Sequence, residues 1–209
     1  MSRTRIKFCG LTREEDVMAA CALGVDAVGF VLTARSRRHV DIDRAVALRR
    51  AVAPFVSVVA LVMDDAAGYV EEIIFRLMPD LLQFHGSEPP AFCEGFGRPY
   101  LKAVPMGSVH DVAAYAAGYG RAAGFLLDSH ALGEEGGSGR RFDWSRMPHD
   151  VNRPLILAGG LDPANVGEAV RVARPWAVDV SSGIERMPGE KDFEKMRLFV
   201  QNANREGAV

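Results

Sequence analysis

Cys9 and Asp128 are the two side chains whose types best suit the movement of protons within a single substrate. Each ends a short apolar run, the first over residues 5–9 and the second over residues 124–128. A thiol and a carboxyl group can serve as general base and general acid when their surroundings set their pKa values apart. The pair indicates acid–base chemistry, provided that the fold brings both side chains to one place.

Lys7 is a residue that could activate this cysteine. It lies two positions before Cys9, on the same face of the predicted strand and about 6–7 Å away. A cation at that distance favours the thiolate. Two alternatives remain open: Lys7 could form a structural ion pair with Asp179, and Cys9 could be a small buried hydrophobic residue, as a cysteine at a strand end more often is.

Apolar runs alternate with amphipathic segments along the chain, and these elements must position the reactive side chains. Eight runs rich in Val, Ile, Leu and Phe have the length of buried strands, at 5–9, 27–32, 56–61, 81–85, 100–104, 124–128, 155–158 and 176–180. Segments with helical spacing separate them, at 13–23, 43–52, 65–77, 90–95, 108–116, 163–172 and 192–203. After the sixth strand, the glycine-rich stretch 129–141 leaves only a stub of helix at 142–147, and so long a loop is usually functional or disordered.

Strands that alternate with helices imply a parallel sheet. Eight such units in 209 residues match a single-domain (β/α)8 TIM barrel near its lower size limit. A doubly wound sheet is the alternative. The chain has no hairpin signal and no linker, so we expect one domain over residues 1–209.

Polar residues share one face near the C-terminal ends of several predicted strands. Because strand side chains alternate between two faces, the following fall together: Lys7 and Cys9, Gln83 and His85, Asp128, and Asp179 and Ser181. A single residue of this kind is usually a hydrogen-bonded polar group inside a barrel. Agreement among four strands favours a shared site in the barrel mouth, where barrel enzymes bind their substrates.

Two glycine-rich turns follow the last two strands. Ala158-Gly159-Gly160 ends the seventh strand, and Ser181-Ser182-Gly183 ends the eighth. Glycine lets backbone N–H groups approach an oxyanion, and barrels often bind phosphate with the loops after these two strands. The two turns together predict a phosphorylated ligand.

Charge and composition narrow the classes of partner. The formal net charge is −2, whereas non-specific nucleic-acid binding needs a strong basic excess. No apolar run approaches the ~18 residues of a membrane span, and no secretory signal opens the chain. Cys9, Cys21 and Cys93 lack metal-ligand spacing and are odd in number, which fits a reducing cytoplasm and no metal site. We therefore expect a cytoplasmic protein that binds a small phosphorylated molecule and needs neither a metal nor a cofactor. The choice between monomer and homodimer stays open.

Several stretches resemble the phosphoribosylanthranilate isomerases of tryptophan biosynthesis, in that family's order and spacing. They are KFCGLT, GVDAVGFV, LLQFHG, LLDS followed by GGSGRRFDW, LAGGLDPANV and DVSSGIE, and they span residues 7 to about 192. The KFCG opening combined with the DVSSGIE ending is the most specific part of the resemblance. This resemblance implies a (β/α)8 barrel.

The resemblance also implies an Amadori rearrangement, in which N-(5-phosphoribosyl)anthranilate, an aldose amine, becomes a 1-deoxyribulose ketose. Cys9 matches the general base of the family, and Asp128 matches its general acid. Asp128 would protonate the ribose ring oxygen to open the ring, and Cys9 would then remove the C2 proton of the iminium. The resulting enolamine tautomerises to the ketone without a cofactor.

A set of substrate-binding residues follows from the same resemblance. Arg38 matches, by count, the arginine that binds the anthranilate carboxylate. The phosphate would bind the turns after strands seven and eight, at Gly159, Gly160, Ser181, Ser182 and Gly183. The strand-face pattern, rather than the resemblance, adds His85 and Asp179 to the predicted substrate-binding residues. Many members carry Ser-Pro-Arg or Ser-Lys-Arg where this chain has Ser-Arg-Arg at 36–38, so Arg37 could take the carboxylate role.

Two other functions remain open from the sequence. One is the sister isomerisation of histidine biosynthesis, alone or beside the first reaction, although that reaction typically uses an aspartate at the position of Cys9. The other is a barrel that binds phosphorylated ligands without catalysis. The presence of both Cys9 and Asp128 speaks against the second.

Overall fold

Eight parallel strands, joined in chain order, close into a barrel in the computed structural model, which describes residues 3–129, 143–148 and 150–206. The strands are β1 (Arg5–Cys9), β2 (Ala27–Val31), β3 (Ser57–Val62), β4 (Leu81–Phe84), β5 (Tyr100–Pro105), β6 (Gly124–Asp128), β7 (Leu155–Leu157) and β8 (Ala177–Val180). Their bounds agree with the predicted ones to within one residue. The predicted (β/α)8 barrel is confirmed, and the doubly wound alternative is wrong because β8 pairs with β1.

Helices cover the outside of the barrel. In the described part of the chain they are α1 (Glu14–Ala22), α2 (Ile42–Arg49), α3 (Ala67–Leu77), α4 (Pro90–Glu94), α5 (Val112–Ala117), α6 (Val166–Ala173) and α7 (Phe193–Glu206). A short 3-10 helix, Trp144–Arg146, occupies the place of the stub predicted at 142–147. Apart from Ser129, the glycine-rich stretch 129–141 lies outside the described residues. No helix within these ranges is long and apolar enough to cross a membrane.

Two of the helices begin three or more residues later than their sequence pattern predicts. The first, α5, begins four residues late because the Asp111 carboxylate accepts the Ala114 N–H at 2.8 Å and caps the helix there. The second, α6, begins three residues late because the Asp162 carboxylate holds the N–H groups of Ala164 and Asn165 in a turn before the helix. In both cases an aspartate side chain decides where the helical hydrogen bonds start.

Alternation along the strands produces two apolar layers. Residues of one parity pack outward against the helices, as Phe8 does against Phe199 of α7 with ring centroids 5.9 Å apart. Burying a side chain of this size contributes about 1.5–3 kcal/mol to folding. Residues of the other parity fill the barrel interior: Leu101, Ala103, Leu126, Ile156, Ala158 and Ala177. The polar residues of the barrel mouth belong to this inward set.

A small antiparallel hairpin, which the sequence pattern did not predict, follows β8. Its strands are β9 (Glu185–Met187) and β10 (Glu190–Lys191), with Glu190 paired to Met187. Strands of three and two residues are too short to show an alternating pattern. The Pro188-Gly189 turn between them was a signal that could have revealed the hairpin, and Gly189 has φ +85°.

Candidate active site

A cavity opens at the C-terminal ends of the barrel strands. Seven of the residues predicted from sequence line it: Cys9, Arg38, Gln83, His85, Asp128, Asp179 and Ser181. Gly159, Gly160, Ser182 and Gly183 are not among its lining residues. The fold therefore brings the predicted acid, base and carboxylate-binding residues together, with the predicted phosphate turns beside them.

Cys9 lies in a small apolar cluster inside the barrel, with Val31 and Leu61 around it. It is 5% exposed. Gly29 on the neighbouring strand makes room for the thiol, because a Cβ at Gly29 would lie 2.9 Å from Cys9 Sγ and 3.2 Å from Lys7 Cε. The role of Gly29 depends on the register that sets it opposite Cys9, and the sequence offers no signal for it.

The charge next to Cys9 comes from a buried ion pair. Lys7 Nζ lies 2.8 Å from Asp179 Oδ1, so the structural pairing left open by the sequence is formed. Burial raises the pKa of the Cys9 thiol; Lys7 pulls this pKa down, but burial outweighs it and the pKa stays above its ordinary value. Burial lowers the pKa of Lys7, but Asp179 and Cys9 outweigh it and the net pKa is raised. Lys7 therefore lowers the pKa of Cys9, in the predicted direction, but by less than burial raises it.

The imidazole of His85, which follows strand β4, lies beside the carboxyl group of Asp128 at the end of β6. His85 Nε2 lies 3.5 Å from Asp128 Oδ2, and Gln83 Nε2 lies 3.2 Å from His85 Nδ1. All three side chains are buried. As the Gln83 amide is oriented, it donates to Nδ1, which leaves the imidazole proton on Nε2, the nitrogen that faces Asp128.

Arg38 reaches the cavity and is held by a carboxylate that sequence reasoning missed. Its Nε and Nη2 atoms each lie 2.7 Å from an oxygen of Glu185. Gly10 allows the arginine stem to pass, since its φ is +70° and a Cβ there would lie 2.6 Å from Arg38 Cδ. Arg37 is exposed and does not line the cavity, which favours Arg38 for the carboxylate role.

Lys191 is a second site residue that sequence reasoning missed. Its Nζ lies 2.8 Å from Glu185 Oε1 and donates to Ser181 O at 3.1 Å and Ser181 Oγ at 3.4 Å. Burial outweighs the opposing effect of Glu185 and keeps the pKa of Lys191 below its ordinary value. The three oxygen acceptors around Nζ are the partners of a protonated lysine. Burial raises the pKa of Glu185, yet Arg38 and Lys191 outweigh it, so the pKa of this carboxyl lies below its ordinary value.

The turns after β7 and β8 touch each other. A Cβ on Gly183 would lie 1.9 Å from Leu161 O, so only glycine permits this contact. Asn165 braces the first turn, since its Nδ2 donates to Gly160 O at 2.9 Å. Gly159 packs against the other end of the site, because its Cβ would lie 2.8 Å from Asp128 Oδ1. The predicted phosphate turns thus form one continuous wall that ends at Asp128.

A structural metal ion needs several His, Cys, Asp or Glu side chains around one point, and the described residues bear on this directly. They contain no group of three or more His, Cys, Asp or Glu side chains arranged to hold one. What the site offers is the thiol of Cys9, the carboxyl group of Asp128, the imidazole of His85 and cations that are paired with carboxylates. These groups can move protons and bind anions.

Comparison with known proteins supplies the family. The family model for N-(5'phosphoribosyl)anthranilate (PRA) isomerase matches residues 6–202. N-(5'-phosphoribosyl)anthranilate isomerase of Stenotrophomonas maltophilia (strain R551-3) is 53% identical over 205 residues, covering 97% of this chain and 94% of the relative. The enzyme of the same name from Xanthomonas oryzae pv. oryzae (strain PXO99A) is 50% identical over 209 residues, with the same coverage.

Solved structures agree with the sequence relatives. Phosphoribosyl anthranilate isomerase from Thermotoga maritima superimposes with a TM-score of 0.86 at 36% identity, covering 96% of this chain and 98% of that one. A phosphoribosyl anthranilate isomerase in complex with reduced 1-(o-carboxyphenylamino)-1-deoxyribulose 5-phosphate gives a TM-score of 0.84 at 34% identity, with the same coverage. By family model, sequence identity and fold, this chain belongs to the N-(5'-phosphoribosyl)anthranilate isomerase family.

Proposed function

We propose that the protein isomerises N-(5'-phosphoribosyl)anthranilate to 1-(o-carboxyphenylamino)-1-deoxyribulose 5-phosphate in tryptophan biosynthesis. The observation that carries this proposal is that Cys9 and Asp128, from β1 and β6, line one cavity with Arg38. A base, an acid and a carboxylate-binding cation are the groups that an Amadori rearrangement of an anthranilate amine requires. The reaction moves protons and electron pairs within the substrate, so no second reactant takes part.

Asp128 acts first, as the general acid. Its protonated carboxyl group gives a proton to the ribose ring oxygen, the C1–O bond breaks, and the amine nitrogen lone pair forms the C1 iminium. His85 Nε2, 3.5 Å from Asp128 Oδ2, stabilises the carboxylate that remains. Gln83 fixes the imidazole through its contact with Nδ1 at 3.2 Å.

Cys9 acts second, as the general base. Its thiolate takes the C2 proton of the iminium, and the released electron pair forms the C1–C2 double bond of an enolamine. Tautomerisation, with protonation at C1, yields the ketose. The apolar surroundings of the thiol exclude water, which strengthens the attraction between the thiolate and the cationic iminium.

The two ends of the substrate bind on opposite sides of these groups. The anthranilate carboxylate pairs with Arg38, and Asp179 lines the same cavity. The phosphate binds the wall made by Gly159, Gly160, Ser181, Ser182 and Gly183. Support for this placement comes from the contact between the two turns and from their position next to Asp128.

The reaction can be followed by the loss of anthranilate fluorescence as substrate is consumed. We expect Cys9→Ser and Asp128→Asn each to lower kcat/KM by about 10²- to 10⁴-fold, the usual contribution of an acid or a base. Cys21→Ser and Asp43→Asn are matched controls outside the cavity and should keep wild-type rates. Full turnover by a Cys9→Ser, Asp128→Asn double variant would rule out the mechanism.

Complementation separates this function from its sister reaction. Because Cys9 stands where the histidine-pathway isomerisation typically uses aspartate, the gene should rescue a tryptophan auxotroph that lacks the isomerase. A histidine auxotroph that lacks the sister enzyme should remain unable to grow. Growth of the second strain would demonstrate a dual-function barrel.

Assembly and compartment complete the proposal. A related phosphoribosylanthranilate isomerase from Thermotoga maritima is dimeric, and the structure of monomers generated from it has been solved. For this chain, light scattering after size-exclusion chromatography distinguishes a monomer from a homodimer. The three free cysteines support placement in the reducing cytoplasm.

A further inference from the structure

Three charged side chains form a row at one side of the cavity. Arg38 pairs with Glu185, and Glu185 pairs in turn with Lys191. Their side chains are 13%, 5% and 0% exposed, respectively. Burial at this level makes the interactions strong and makes a missing partner costly. Because these side chains are buried, water screens their charges only weakly.

Glu185 determines the orientation of Arg38. Both carboxylate oxygens are used, one on Nε and one on Nη2 at 2.7 Å each, which aligns the guanidinium plane with the carboxylate. A guanidinium has a second edge, formed by Nη1 and Nη2, that can fork onto another carboxylate. Arg38 lines the cavity, so a ligand carboxylate would meet the oriented guanidinium there. An arginine without Glu185 would sample many rotamers before binding.

Lys191 determines the net charge that a ligand meets. Arg38 and Glu185 cancel, so an approaching carboxylate would find a neutral pair if these two residues acted alone. The buried ammonium of Lys191, 2.8 Å from Glu185, returns one positive charge to the row. The Lys7–Asp179 pair and the Arg35–Asp64 pair at the cavity also cancel, so neither supplies this charge.

The hairpin that carries Glu185 and Lys191 is anchored outside the cavity. Thr12 Oγ1 donates to Gly189 O at 2.5 Å, and Lys191 N donates to Asp16 Oδ2 at 3.1 Å. Lys195 Nζ donates to Glu185 O at 2.7 Å. Because these contacts come from the β1–α1 segment and from α7, the hairpin holds its two side chains in place before any ligand binds.

We propose that Glu185 and Lys191 are positioning residues that make the site selective for a substrate bearing a carboxylate next to its amine. Glu185 orients the Arg38 guanidinium, and Lys191 restores the positive charge that Glu185 would otherwise cancel. This inference rests on the proposed function, in which Arg38 binds the anthranilate carboxylate. Neither residue touches the reacting atoms.

The test compares two stable ligands by isothermal titration calorimetry. One is reduced 1-(o-carboxyphenylamino)-1-deoxyribulose 5-phosphate, and the other is the same compound without the carboxyl group. The ratio of their Kd values measures selectivity for the carboxylate. We expect Lys191→Met to lower this ratio by about tenfold through weaker binding of the first ligand, with the second nearly unaffected. Arg186→Gln, which removes a surface cation from the same hairpin, should leave the ratio unchanged.

A double variant separates charge from structure. Lys191→Met makes the row neutral, whereas Lys191→Met combined with Glu185→Gln returns it to one positive charge. The double variant should therefore bind the carboxylate ligand more tightly than Lys191→Met alone. A purely structural role predicts the opposite order, because each change removes a buried contact. If Lys191→Met does not fold, the double variant is compared with Glu185→Gln, and loss of Lys191 should again lower the ratio.

The outcomes distinguish this inference from the function on which it rests. A wild-type protein that binds neither ligand would contradict the proposed function. A wild-type protein that binds both ligands equally would contradict the role of Arg38 and this inference with it. A selective wild-type protein whose selectivity survives Lys191→Met would overturn the inference alone.

Discussion

Lys7 Nζ donates a hydrogen bond of 2.8 Å to Asp179 Oδ1, and the two residues are 172 positions apart in the chain. The bond forms because β1 and β8 close the barrel with Lys7 opposite Asp179 in register. The negative charge of Asp179 offsets the effect of Lys7 on Cys9. Burial of the thiol therefore keeps the pKa of Cys9 above its ordinary value. The proposed base therefore rests as a thiol in the free enzyme, and kcat/KM should rise with pH as the thiolate forms.

Opposite changes in this ion pair should move the Cys9 pKa in opposite directions. Lys7→Met removes the group that lowers this pKa and leaves the Asp179 carboxylate that raises it, so the pKa should increase. Asp179→Asn removes the carboxylate and should decrease it. The measurement is the ultraviolet absorbance of the thiolate against pH in a Cys21→Ser, Cys93→Ala background. Titration curves that coincide for the two variants would show that the pair does not tune Cys9.

Gln83 should affect catalysis only through His85. Gln83→Met removes the contact to His85 Nδ1 and should lower kcat/KM by roughly tenfold, since the imidazole loses its fixed tautomer beside Asp128. In a His85→Asn background the same change should have little further effect. This double-mutant cycle measures the coupling. Equal losses in both backgrounds would assign Gln83 a role in packing.

Gly29→Ala should impair chemistry without unfolding the barrel. The added Cβ would lie 2.9 Å from Cys9 Sγ, so the thiol must move away from its position. We expect kcat to fall by at least about tenfold, as a displaced catalytic group commonly causes. Gly68→Ala is the matched control, because a Cβ there meets no atom within 4 Å. Unchanged kcat in Gly29→Ala would mean that the thiol position is not critical.

A buried ion pair beside the mouth should matter for stability. Lys102 and Glu88 are 2.8 Å apart with side chains 0% and 3% exposed, and Lys102 also donates to Gly86 O. Lys102→Met leaves the Glu88 carboxylate buried without its cation and should lower the free energy of unfolding by about 3–5 kcal/mol. Arg76→Gln breaks two exposed ion pairs, with Glu72 and Asp43, and should cost about 1 kcal/mol. Urea unfolding of both variants, if equal, would contradict this difference.

Some of these residues could be predicted because their signals are local. Alternating and apolar runs placed each barrel strand to within one residue. The same alternation put Cys9, His85 and Asp128 on inward faces, and the family resemblance assigned Cys9 and Asp128 their chemistry. Consecutive residues of a strand point to opposite faces, so the two faces can be recognised from the local sequence without any distant contact.

Other residues could not be predicted because their roles depend on distant partners. Lys102 lies on the helix-facing side of β5, where alternation predicts an apolar residue, and Glu88 and Gly86 stabilise it there. Glu185 and Lys191 lie on strands too short to show a pattern, and their importance arises from Arg38, nearly 150 residues earlier.

The sequence by itself determined the barrel, the order of its strands and the thiol and carboxyl group at two strand ends. Only the tertiary structure decided how charge is distributed around them. Closing the barrel sets Lys7 against Asp179, and the hairpin after β8 sets Glu185 against Arg38. The physical reason is that strand periodicity is a property of neighbouring residues, whereas the pairing and burial of charges depend on which segments meet when the barrel closes.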